Sequence, residues 1–208
     1  MTEPSFTFGV LALAGSPFAA LGGLWSARAT ERRLSSLPIV PHPKTAMLGA
    51  MLAAILTICA PTSGMALAVL CIALGAVATC DADTCIIPDT LVITIAGIGI
   101  VFHPFAPGFS SAYLALSGVV LFASSEVFAR LMRKWRGRTA FGGGDVKLIA
   151  AIGANVGWIR LDVVLFAGCV SAIAWHGLDL RKRFPLGPHL VAGLAFTAWI
   201  APRISFGV

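Results

Sequence analysis

The chain has 208 residues, of which 58% are hydrophobic and 12% charged, about half the roughly 25% charged residues of a soluble domain. That balance excludes a soluble globular fold and implies an integral membrane protein. The net charge of +6 invites a nucleic-acid reading, but the basic residues collect at membrane margins, where they set topology; no nucleic-acid partner is expected.

Apolar runs recur along the whole chain. Several reach the ~20 residues with which an α-helix crosses a hydrocarbon core of ~30 Å. Strong β-barrel alternation is absent, so helices must satisfy the backbone in the lipid bilayer. The expected fold is all-α, a polytopic membrane helix bundle forming one domain over residues 1–208. Its eight spans fall near 7–27, 46–60, 65–80, 90–107, 111–132, 146–159, 161–178 and 187–202, the second and sixth being short.

Before the first span stand Glu3 and no lysine or arginine, unlike the basic start of a secretory signal, so this span is expected to be retained. Arg28, Arg32, Arg33 and Lys44 follow it. Arg130, Arg133, Lys134, Arg136 and Arg138 follow the fifth span, and Arg181, Lys182 and Arg183 the seventh. With eight alternating spans these clusters share one face, the cytoplasmic one by the positive-inside rule, and only Arg160 and Arg203 lie opposite. Both termini are therefore expected outside.

The third span ends in Cys80-Asp81-Ala82-Asp83-Thr84-Cys85-Ile86-Ile87-Pro88-Asp89, and the sixth opens in Phe141-Gly142-Gly143-Gly144-Asp145-Val146-Lys147-Leu148. Asp81 and Asp145 thus occupy the same membrane face although they are 64 positions apart. A carboxylate beside hydrocarbon is costly to ionise, and a second one nearby makes loss of both protons harder, so such a pair tends to share one proton. That state suits peptide hydrolysis: one carboxylate takes a proton from attacking water while its protonated partner polarises the carbonyl. The acid and base roles stay unassigned, because the titrations are coupled. Taken singly, Asp145 also reads as an acid favoured at a helix start.

Asp89, after Pro88 and before an apolar run, reads as a helix N-cap with a structural role. Asp83 is either support for the site or a solvated loop residue. Glu126 and Arg130 have the spacing of a helical ion pair. Gly142, Gly143 and Gly144 give access to positive φ and close approach, suiting an extended substrate beside Asp145, or simply make a turn. Lys147, in the first turn of the sixth span, needs a compensating carboxylate, for which Asp145 is the nearest candidate, or snorkels to the interface.

Cys59, Cys71, Cys80, Cys85 and Cys169 are scattered in apolar surroundings without zinc-ligand spacing, so packing roles are expected and no metal site. His42, His103, His176 and His189 are dispersed, with no pairing visible in the sequence.

The two acidic segments resemble those of the type IV prepilin peptidases, membrane aspartyl proteases of the Gly-x-Gly-Asp class. Asp81 followed seven residues later by Pro88 resembles the family's first aspartate motif, and Gly142-Gly143-Gly144-Asp145-Val146-Lys147 its Gly-x-Gly-Asp-x-Lys motif, the more specific match. Weaker echoes are Ala14-Gly15-Ser16-Pro17-Phe18 in the first span and Phe184-Pro185-Leu186-Gly187-Pro188, similar to a Phe-Gly-Pro turn. The resemblance implies that Asp81 and Asp145 are a catalytic dyad; Asp83, Gly142, Gly143, Gly144 and Lys147, read from their own positions, are expected to support it. It further implies that leader peptides of prepilins or pseudopilins are removed at the cytoplasmic face of the bacterial inner membrane, with no cofactor or metal for that step. Many members carry a cysteine-rich zinc-binding segment between the first two spans and also N-methylate the new N-terminus. Here that stretch, Arg28 to Thr45, holds no cysteine, so the chain resembles a shortened member and methyltransferase activity is not carried over.

Two other classes share some of these features. A proton-coupled secondary transporter also uses paired membrane acids, though near the midplane rather than at one edge. A non-catalytic pilus or secretion assembly component could keep the peptidase fold.

Overall fold

A computed structural model describes residues 3–30, 40–59, 64–106, 108–136, 142–177 and 185–200. These form eight helices: α1 (Glu3–Thr30), α2 (Pro43–Cys59), α3 (Met65–Thr84), α4 (Asp89–Phe102), α5 (Ser111–Arg136), α6 (Gly143–Val156), α7 (Trp158–His176) and α8 (Gly187–Ile200). No strand occurs among the described residues. Each expected span coincides with one helix, and the bundle is all-α.

Among the described residues, four helices are long and apolar enough to cross a membrane: α1 over Val10–Ala29, α3, α5 over Ser111–Trp135, and α7. α4, α6 and α8 have 14 residues each, which at ~1.5 Å per residue spans roughly 21 Å, short of a ~30 Å core. Of the basic clusters, Arg28 lies in the last turn of α1, Lys44 is the second residue of α2, and Arg130, Arg133, Lys134 and Arg136 lie in the last turns of α5. Arg32, Arg33, Arg138, Arg181, Lys182, Arg183 and Arg203 lie outside the described residues.

The bundle is organised around α3, a deeply enclosed helix, which packs against α1, α2, α4 and α8. Its sequence explains this placement. Leu70, Leu74, Val77 and Ala78 bury one side, while Gly75 meets Ala53 of α2 and Ser16 of α1 so closely that a Cβ there would collide. Small residues at such seams replace the hydrophobic drive that lipid removes. α5 and α7 lie at the periphery with Val119, Phe122, Phe166 and Val170 turned outward. All five tryptophans are exposed, with Trp25, Trp135 and Trp175 toward one end of the bundle and Trp158 and Trp199 toward the other. That arrangement matches the aromatic belts of a membrane protein.

Contacts between helix ends define two poles. At one pole α3 ends beside the starts of α2 and α8, and α4 and α6 begin together. At the other, Arg160 at the start of α7 donates from Nη1 to the Phe105 carbonyl at 3.3 Å, and its guanidinium stands 5.6 Å from the Phe109 ring centre. Arg160 is thus placed opposite the other described basic residues, as its sequence position suggests. An apolar groove between α2 and α8, lined by Leu52, Ile55, Cys59, Phe196 and Trp199, contains none of the acids.

Candidate active site

Both singled-out aspartates lie at the first pole. Asp81 is in the last turn of α3, 3% exposed. Helix α3 does not stop where its apolar run ends: Cys80, Asp81, Ala82, Asp83 and Thr84 continue it, because the i to i−4 bonding pattern does not depend on apolarity. It terminates at Cys85, in the left-handed region at φ 53°, whose N–H donates to the Asp81 carbonyl at 2.8 Å. The Asp81 side chain accepts a 2.6 Å hydrogen bond through Oδ2 from the backbone N–H of Gly187, the first residue of α8 and 106 positions away. A Cβ on Gly187 would stand 2.9 Å from that same oxygen. Glycine is the residue type that lets α8 begin against this carboxylate.

Asp145 is the third residue of α6 and half-buried. Its Oδ2 accepts the N–H of Gly142 at 2.9 Å, so the acid caps its own helix. Asp81 at the end of α3 and Asp145 at the start of α6 thus stand at the same pole, on helices that both pack against α4.

The supporting residues divide. Gly144 brings α6 against Ile87, where a Cβ would lie 3.1 Å from the Ile87 Cβ; a Cβ on Gly143 would meet nothing within 4 Å. Gly142 has φ −68° and none of the three adopts positive φ, so the glycines serve close approach at one position and not left-handed turns. Asp83 accepts the N–H of His42 at 3.3 Å, tying the end of α3 to the approach to α2. Lys147 is compensated by Asp89 and not by Asp145: its Nζ donates to Asp89 Oδ1 at 2.7 Å and Oδ2 at 2.9 Å. Asp89 accordingly is not the N-cap of α4. Pro88 holds that position and Asp89 is the first helical residue.

Other expectations resolve at the same time. Glu126 and Arg130 form the i, i+4 pair, at 2.9 Å. Cys71 and Cys80 are buried packing residues, with the Cys80 thiol donating to the Ala20 carbonyl at 3.6 Å, whereas Cys85 and Cys169 are exposed. His176 and His189 are not dispersed: their ring centres are 5.2 Å apart, and His189 Nδ1 is 3.0 Å from Ser171 Oγ. In the first-span echo, Gly15 packs on Ile72 and Ser16 is fully buried. No group of three or more His, Cys, Asp or Glu side chains that could hold a metal occurs among the described residues.

Sequence reasoning missed Gly187 and Asp89 as site residues. Gly187 was visible only as part of the Phe184 to Pro188 segment; Phe184 itself lies outside the described residues.

A helical membrane bundle with two acids gathered at one pole is the class that fold and site define. A family model described as the type IV leader peptidase family matches residues 68–177, a stretch holding both aspartates. The chain belongs to that family. It is 34% identical over 161 residues to a Burkholderia pseudomallei protein called prepilin leader peptidase/N-methyltransferase, covering 72% of this chain and 51% of the relative. Proteins of the same name from Pectobacterium carotovorum and Neisseria gonorrhoeae are 30% and 34% identical, over 56% and 57% of this chain and 44% and 43% of their own. The chain spans about half the length of the curated relatives it matches. No solved structure matches it at a significant level.

Proposed function

We propose that this chain is an aspartic endopeptidase that removes the leader peptide from type IV prepilins or pseudopilins, working as one membrane domain at the cytoplasmic face of the bacterial inner membrane. The observation that carries the reading is the convergence of Asp81 and Asp145 at one pole, each carboxylate fixed by a glycine N–H, in a member of the leader peptidase family.

In the proposed reaction one carboxylate takes a proton from water, whose oxygen attacks the scissile carbonyl carbon. The protonated partner donates to the carbonyl oxygen as the tetrahedral intermediate forms. Collapse breaks the C–N bond, a proton passes to the departing nitrogen, and the leader leaves with a new carboxylate. The Gly187 and Gly142 amides hold the two acids in place so that this costs little reorganisation. The dyad at the helix ends, away from the bundle's middle, argues for an edge-on peptidase over midplane transport.

Asp81→Asn and Asp145→Asn should each abolish leader cleavage of a co-expressed prepilin while the protein still accumulates in the membrane. Complete processing by either variant would sink the assignment.

A further inference from the structure

Asp81 stands on α3 and Asp145 on α6, yet these helices do not pack against each other among the described residues; α4 packs against both. α8 also touches both, α6 only lightly, so α4 carries most of the link that sets the separation of the two carboxylates. Its link to Asp81 is short, since α3 ends at Thr84 and α4 begins at Asp89.

Two polar ties cross the seam between α4 and α6. Away from the acids, Asn155 Nδ2 donates to the Ile95 carbonyl at 3.0 Å. At their end, Lys147 Nζ grips both oxygens of Asp89, at 2.7 and 2.9 Å, two residues beyond Asp145. Beside that grip Gly144 sits against Ile87.

We propose that Asp89 and Lys147 form a positioning pair that sets the spacing of Asp81 and Asp145, making Asp89 necessary for efficient turnover although it touches neither the substrate nor the dyad. The proposal rests on the dyad reading above. The side chains of Lys147 and Asp89 are 42% and 60% exposed, and ion pairs so open to solvent add little stability. What the pair supplies is geometry, because contact to both carboxylate oxygens fixes direction as well as distance. The charges also fit their helices asymmetrically. Asp89 is favoured in the first turn of α4, while Lys147 in the first turn of α6 opposes the dipole and needs an acid across the seam. A displacement of ~1 Å at reacting groups can cost on the order of 10²-fold in rate, so a tie that is weak for folding can be strong for turnover.

The test is steady-state cleavage of a purified prepilin by the full chain in lipid nanodiscs, comparing Asp89→Asn, Lys147→Gln, their double variant, Asp89→Glu and Asp81→Asn. Asp89→Asn and Lys147→Gln should each lower kcat about tenfold with KM within about twofold of the unaltered protein, as expected for misplaced reacting groups. The double variant should be no slower than the worse single one, because both remove one tie. Asp89→Glu, which keeps the charge but lengthens the reach, should lower kcat several-fold and keeps the test valid if Asp89→Asn does not fold. An unchanged kcat in Asp89→Asn or Asp89→Glu, or losses that multiply in the double variant, overturns the positioning pair. Full cleavage by Asp81→Asn would instead overturn the dyad reading itself.

Discussion

The end of α3 and the start of α6 each deliver one aspartate, but they hold it in opposite ways. Asp81 is buried and gripped from outside its own segment, by the amide that opens α8. Asp145 is half-buried and gripped from within, by the amide of Gly142 three residues before it. The first carboxylate is set by tertiary structure and the second by local helix capping. A pair built this way has one member that reports on the whole bundle and one that forms with its own helix.

The largest expected effect removes that difference at its chemical root. Asp81→Asn and Asp145→Asn should each reduce leader cleavage by on the order of 10³-fold or more, since proton transfer to and from the reacting groups is lost in both; a time course of prepilin processing measures it. Gly187→Ala comes next. Its Cβ would press on Asp81 Oδ2, so cleavage should fall about 10- to 100-fold while Asp145 keeps its own cap. Gly144→Ala should lower cleavage only a few-fold, because Ile87 can give way by a few tenths of an ångström at the 3.1 Å approach. Gly143→Ala should change it by less than about twofold, since the new methyl faces open space and alanine gains up to ~1 kcal/mol in helix propensity. The smallest effect belongs to Asp83→Asn, which weakens an exposed 3.3 Å contact to His42. It should alter thermal stability by less than ~1 kcal/mol and leave cleavage nearly intact.

The sequence made the helices legible because apolar runs separated by basic loops are hard to misread, and it made Asp81 and Asp145 legible because acids are rare in this chain. Helix ends were harder. The expected third span stops at residue 80, where hydrophobicity stops, while α3 runs to Thr84. The sixth was expected from residue 146, yet Gly143 and Gly144 already belong to α6. Lys147 drew attention to Asp145 by nearness in the chain, but residues two apart on a helix point to different faces, and its partner lies 58 positions away. The same limit hid the contact of His176 with His189, which face each other only after α7 and α8 pack. Side-chain partners across helices depend on rotation and packing that periodicity alone does not encode.

The bond from Gly187 to Asp81 joins the third helix to the eighth. Translation delivers helices in chain order, so α3 enters the membrane well before α8 exists. During that interval the buried carboxylate has no amide to receive, and the bundle around it lacks a wall. Docking of α8 therefore encloses this end of α3 and brings the Gly187 amide to the Asp81 carboxylate in the same step.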